Sequence, residues 1–390
     1  MKYDFDTQVS RYGTDAAKYA GLTGTEGELL PLWVADMDFP APPEVVDALQ
    51  KRVAHGIYGY GDFTNEAYFA PLQRWYSERF SWKPQREWLV ETPGVVFAVY
   101  NAVRALTGEN DAVLIQEPVY YPFARAIRDN GRRIAVSPLV FEGGRYRIDY
   151  DDFERTIEEE GVKAFILCSP HNPVGRVWTR DELTRMGEIC LRQGVKVIAD
   201  EIHADFVRPG HTHTVFASIS PAFADMTVTC TAPSKTFNLA GLQASNIFIS
   251  NEALREAFKR EVGKTGYGGP NILGITACQA AYEHGADWLA QLKDYLEGNI
   301  ALVRDYLAAH IPQVKLVEPE GTYLLWLDCR GLGMAPKALD DFIYCKAGLW
   351  FDDGPMFGKG GEGFQRLNAA CPRATLEEAL KRLADAVNAL

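Results

Sequence analysis

The chain has 390 residues, with 40 Lys and Arg against 52 Asp and Glu for a net charge of −12, and is 47% hydrophobic and 24% charged. Length and balance suit two or three globular domains with a large core, not a disordered or fibrous chain. The acidic excess argues against a nucleic acid or an anionic membrane as partner, because either favours a basic face.

The amino terminus, MKYDFDTQVSRYG, holds no apolar run, and no later run approaches the roughly 20 residues of a membrane span. Neither a signal peptide nor a membrane helix is expected. The seven cysteines, at 168, 190, 230, 278, 329, 345 and 371, are widely spaced and form no C-x-x-C pair. They predict reduced core thiols in a cytoplasmic protein, not a disulfide framework or a zinc cage.

In chain order, residues 1–45 show little periodicity and are expected to wrap over the body as an arm. Short β-rich apolar runs follow at 112–116, 133–137, 163–168, 195–199 and 227–231. Between them lie stretches of helical spacing, such as 179–192, which opens with Thr179 and Glu182 at capping-box spacing. Strands alternating with helices predict a mostly parallel α/β sheet in a large domain over 46–286. A ligand then belongs at the carboxyl ends of those strands. After about 285 the pattern changes to a long amphipathic helix (288–310), strands at 322–328 and 364–369, a helix at 336–347 and a last helix from 375. That predicts a smaller α+β domain over 287–390. Trp288, Leu292, Tyr295 and Leu296 recur at helical spacing and are expected in the core between the domains.

Three of the runs end in polar clusters: SPHNPVG at 169–175, DEIH at 200–203 and TAPSK at 231–235. A lysine after a strand is most often a solvated charge, and an aspartate there is often a helix cap. Together, however, Asp200, Asn172 in its H-N-P turn, and Lys235 converge on one crevice as a site able to hold a pyridine ring. His211 and His213 look like a metal pair, but no matching Cys or carboxylate spacing supports them and no metal is expected.

These stretches, with LPLWVADMDFP at 30–40, HGIYGY at 55–60, ADEIHADF at 199–206, APSKTFNLAG at 232–241 and RLNAACP at 366–372, carry a resemblance over nearly the whole chain. The protein resembles the fold-type I pyridoxal 5'-phosphate (PLP) enzymes of the class I/II aminotransferase group, and within it the MalY/PatB branch of cystathionine β-lyases. The resemblance implies an α/β large domain with a mostly parallel seven-stranded sheet and a smaller α+β domain. It implies that Lys235 forms the Schiff base with PLP, that Asp200 pairs with the ring nitrogen and that Asn172 bonds the ring hydroxyl oxygen. Arg366 matches the clamp for the substrate α-carboxylate, a task suited to a planar, permanently charged guanidinium. Tyr121 fits the aromatic that stacks on the ring, with Tyr120 as its rival. The amides of Gly94, Val95 and Val96, at the start of a helical run, and the Ser234 hydroxyl are candidates for the phosphate. Tyr60 resembles a tyrosine reaching the phosphate from the neighbouring subunit, which implies a homodimer with shared active sites. The Trp33 to Phe39 loop, Trp33 above all, and Tyr60 are candidates for the substrate side chain.

Two departures point to the lyase branch. His203 stands three residues after Asp200, where aminotransferases usually carry a tyrosine, and Gln243 stands eight after Lys235, where many carry an arginine. The expected reaction is cleavage of the Cβ–S bond of L-cystathionine or a related cysteine S-conjugate. An aminotransferase, and a fold-retaining regulator of a protein partner, are the alternatives.

Overall fold

The computed structural model describes residues 2–22 and 28–390; Met1 and 23–27 of the expected arm lie outside the described residues. The main sheet has seven strands: β1 (Leu89–Thr92), β2 (Ala112–Ile115), β3 (Arg133–Val136), β4 (Val162–Cys168), β5 (Lys196–Asp200), β6 (Thr227–Thr231) and β7 (Ser245–Phe248). Their order across the sheet is β1-β7-β6-β5-β4-β2-β3, and only β7 runs against its neighbours. The five central runs read from the sequence are all strands. Helices cover both faces, so β4 and β5 carry continuous apolar stretches, Phe165-Ile166-Leu167 and Val197-Ile198-Ala199, all at most 1% exposed. β1 and β7 escaped the sequence reading for a physical reason. Leu-Val-Glu-Thr and Ser-Asn-Ile-Phe are half polar, and an antiparallel strand needs no crossover helix, which breaks the strand–helix rhythm.

A second, antiparallel sheet is built from β8 (Lys315–Val317), β9 (Leu324–Asp328), β10 (Asp352–Asp353) and β11 (Phe364–Asn368), in the order β8-β9-β11-β10. The helix expected at 336–347 is a short one, Pro336–Asp341, that widens into a π turn over Phe342–Lys346. The capping box is present: Thr179 Oγ1 accepts from the Glu182 amide at 3.2 Å and Glu182 Oε2 from the Thr179 amide at 2.8 Å, opening the helix Arg180–Gln193. Among the described residues no helix is long and apolar enough to cross a membrane.

The arm is tied down by specific contacts. Phe5 packs edge-on against Phe39 (5.3 Å between centroids) and Trp288 (5.8 Å), and Tyr295 donates to Asp6 at 2.6 Å. Arg11 bridges Asp36 and Asp38, and Lys18, with no exposed surface, donates to Asp38 at 2.8 Å. Trp288, Leu292, Tyr295 and Leu296 are all buried in the cluster that joins this arm to both sheets. Truncating Trp288 to Ala opens a cavity beneath Phe5 and Phe237. It should cost about 3–5 kcal/mol in urea denaturation, the usual range for a buried Trp.

Candidate active site

The sheet register builds the site. Cys168, Asp200 and Cys230 are partners across the ends of β4, β5 and β6, so their side chains leave the sheet on one face. The chain after β4 turns back through 169–175. Gly175, at φ +71°, is where the turn needs glycine, since a Cβ there would lie 3.0 Å from the Pro319 side chain. After β6, the turn Pro233–Thr236 presents Lys235. Opposite, the helix Val95–Leu106 starts at Gly94 with no side-chain cap. Its first amides face the same cavity, and a helix amino terminus favours an anion.

The cavity, of about 180 Å³, is lined by Gly94, Val95, Val96, Tyr120, Asn172, Asp200, His203, Ser234 and Lys235 among others. Burial raises the Asp200 carboxyl to about 7, against the opposing pull of the Ile202 amide and Lys235; Oδ1 accepts from that amide at 3.2 Å. Burial lowers the Lys235 amine to about 8, with Asp36 and Asp200 resisting and Arg366 reinforcing the shift. Its Nζ donates to the Ala35 carbonyl at 2.8 Å, which also accepts from the Tyr323 hydroxyl at 2.9 Å. Burial, with Lys235 and Arg366, lowers His203 to about 3, so its imidazole is neutral, and its Nδ1 has no partner among the described residues.

Arg366 projects from β11 beside this cavity. Nη1 donates to Asn172 Oδ1 at 3.0 Å, and Nη2 to the Trp33 carbonyl at 2.8 Å and to Asp352. The guanidinium lies over the Phe357 ring at 5.0 Å. Residues 33–38 thus form a strap over the site, held by its carbonyls. Asn368 donates to Val34 (2.7 Å) and Asp36 (2.6 Å), and Asn238 to Met37 (3.0 Å). On the far side of the strap a second cavity, of about 680 Å³, shares Lys235 as a wall and has Arg11, Asp36 and Asp38 on its others.

Of the residues singled out by sequence, Lys235, Asp200, Asn172, His203, Ser234, Gly94, Val95 and Val96 line one cavity, and Arg366 joins it through Asn172. Tyr121 does not line it. Its ring lies 5.8 Å from Phe357, and Tyr120 takes the cavity wall instead, because the backbone turns into the helix Pro122–Asp129 at Tyr121. Trp33 contributes its carbonyl. Its indole is stacked on Trp350 at 4.8 Å and donates to the Lys18 carbonyl, so it is not available to a ligand as the sequence suggested. Tyr60 is fully exposed on the surface of this chain and lines no part of the cavity. His213 pairs with buried Glu201 at 3.1 Å. Sequence reasoning missed Asp352, Tyr323 and the strap carbonyls. Only Asn368 left a signal, standing two residues after Arg366 and so on the same face of its strand.

Comparison with known proteins gives consistent relatives. The profile of the family described as Aminotransferase class I and II matches residues 28–383. The chain is 43% identical to "Cystathionine beta-lyase PatB" of Bacillus subtilis (strain 168), over 99% of this chain and 100% of that one. It is 34% identical to "Protein MalY" of Escherichia coli (strain K12), over the full length of both. Among solved structures, cystalysin from Treponema denticola, which contains a pyridoxal 5'-phosphate cofactor, superposes with a TM-score of 0.96 at 41% identity, over all of both chains.

Proposed function

The chain belongs to the class I and II aminotransferase family, and from that premise we propose that it is a PLP-dependent carbon–sulfur β-lyase. It splits L-cystathionine or a related cysteine S-conjugate, with water, into a thiol, pyruvate and ammonia. The observation that carries this reading is the gathering of Lys235, Asp200, Asn172 and neutral His203 on one cavity, in a chain that matches lyases end to end. Its fold is the fold-type I arrangement, a seven-stranded, mostly parallel sheet with a smaller α+β part. The same reading divides the chain into an arm (1–45), a cofactor-holding body (46–286) and a smaller cap (287–390), supported by the two sheets and the helix Ala286–His310 between them.

The residues fit PLP. The uncapped helix start at Gly94, with Ser234 beside it, would hold the phosphate. Asp200, buried with little to offset its charge, would hold a protonated ring nitrogen. Asn172 and His203 would border the ring hydroxyl, and Tyr120 would cover a ring face. When bound, PLP supplies an aldehyde for the substrate amine and a cationic ring that draws electrons from Cα. Arg366 would bind the α-carboxylate and so fix the orientation of the substrate Cα. Lys235, with its amine near 8, is partly neutral at physiological pH and takes the Cα proton. Asp200 would keep the ring nitrogen protonated.

The partner of this chain in the same reading is a second copy. Ile57, Tyr58 and Tyr60 are 67%, 57% and 109% exposed on one short segment, beside exposed Val53. Such a contiguous apolar patch suits a subunit contact, where Tyr60 would reach the neighbouring phosphate site. Seven free thiols, six of them buried, suit a reducing cytoplasm.

The test is to incubate PLP-loaded protein with L-cystathionine and no keto acid. Pyruvate and homocysteine in equal amounts over many turnovers support the lyase. A cofactor that converts to its amine form and recovers only with a keto acid identifies an aminotransferase instead. Sedimentation of the same sample checks the dimer.

Asp200 also gives a pH prediction. Its folded value of about 7 lies above the ordinary 3.8, so between those limits the folded state holds more protons than the unfolded one and stability falls as pH rises. The deficit is complete above pH 7. Cofactor-free Asp200→Asn should therefore melt higher than cofactor-free wild type at pH 8, by about 2 °C or more, with the gap closing toward pH 4. The same variant should bind PLP poorly. Scanning fluorimetry with and without PLP reads both.

A further inference from the structure

We propose that Asp352 is a positioning residue that shares Arg366 with the substrate and sets how tightly the α-carboxylate is held. The proposal rests on the reading of Arg366 as the carboxylate clamp and goes beyond it. Asp352 and Arg366 are register partners on β10 and β11, so the sheet itself places them on one face. Both are 2% exposed.

The guanidinium is already committed on two of its three nitrogens. Nη1 serves Asn172, and Nη2 serves the Trp33 carbonyl and the Asp352 carboxylate. Nε is buried without a partner among the described residues. An incoming carboxylate therefore finds its free donor at Nε, on a cation that a resident carboxylate already neutralises. Two anions sharing one cation repel each other, and the second gains less than it would from an uncompensated guanidinium.

The arrangement solves two problems at once. Without Asp352, Arg366 would lose the carboxylate it pairs with between substrates, and a buried charge without its counter-ion is costly. With it, ground-state attraction for the α-carboxylate is restrained, so binding does not outrun the stabilisation needed later in the reaction. Burial holds the Asp352 carboxyl above the usual carboxylate range, with Arg366 opposing. The titratable groups around the pair include Tyr120 and Tyr121 from the turn after β2, Asp353 on the same strand, and Lys235, His203 and Tyr323, each of which feels the Arg366 charge.

The experiment compares wild-type and Asp352→Asn holoenzyme by isothermal titration calorimetry. The probe is 3-(methylthio)propionate, a thioether carboxylate with no amine to react, alongside its amide. Asn keeps an acceptor for Nη2 and removes the charge. The acid should bind about tenfold tighter to the variant and the amide within about twofold of wild type, the difference expected from removing one like charge. KM for L-cystathionine should fall by a similar factor with kcat within about threefold. Unchanged or weaker binding of the acid, or an equal change for acid and amide, would overturn the proposal. Because the probe reports binding alone, tightened acid binding together with absent pyruvate would count against the lyase and not against Asp352. If Asp352→Asn fails to fold or load PLP, Asp352→Glu takes its place: wild-type binding of the acid supports the charge argument and tenfold tightening refutes it.

Discussion

Lys235→Ala should lower pyruvate release from L-cystathionine by about 10⁴-fold or more, because it removes both the covalent anchor and the group that moves the Cα proton. The change should not unfold the protein. Lys235 makes one hydrogen bond, to the Ala35 carbonyl, and Tyr323 holds that same carbonyl independently. The variant should keep a wild-type melting temperature in its cofactor-free form and should still bind PLP through the helix start at Gly94 and through Asp200, though more weakly. Turnover above a hundredth of wild type would remove Lys235 from the mechanism. An arginine at 235 is no substitute, since it stays charged at every accessible pH.

Arg366→Leu is the second large effect, and it divides into two parts. The substrate loses its planar, charge-assisted clamp, and kcat/KM should fall about 10²–10³-fold, with most of the loss in KM. Asp352 meanwhile loses the cation it pairs with, and an orphaned buried carboxylate costs about 3–5 kcal/mol of stability. A second substitution separates the two. Arg366→Leu combined with Asp352→Leu replaces the buried pair with apolar side chains and should recover most of the lost stability in denaturant titration while recovering none of the activity. Recovery of neither would mean that Arg366 is held chiefly by Asn172 and Trp33 and that Asp352 is not its main partner.

How much of this was legible beforehand follows from where each residue gets its position. Lys235, Asp200 and Asn172 sit at the ends of strands whose apolar runs are plain in the sequence, and parallel pairing brings those ends together by itself. Asp352 offered no such signal. Its strand is two residues long, and it meets Arg366 only through pairing with β11. Tyr120 and Tyr121 differ only in which of two adjacent rings faces inward, a matter of backbone direction before Pro122 that no periodicity encodes. The loop that forms the strap stood out in the sequence, but the contacts that hold it did not. Trp33 to Asp38 reach the site from the arm, held by Asn238, Tyr323, Arg366 and Asn368, which lie 201 to 334 residues further along.

The thiols of this chain make it its own unfolding reporter. Six cysteines are buried and only Cys345 is exposed, so a thiol-reactive dye should count one site on the native protein and seven on the denatured one. The six silent sites are spread across the fold. Cys168 and Cys230 lie in the main sheet, Cys190 and Cys278 in helices, and Cys329 and Cys371 against the smaller sheet. The sequence in which they become labelled under mild denaturant is therefore a map, in chemical increments, of which parts of the molecule open first.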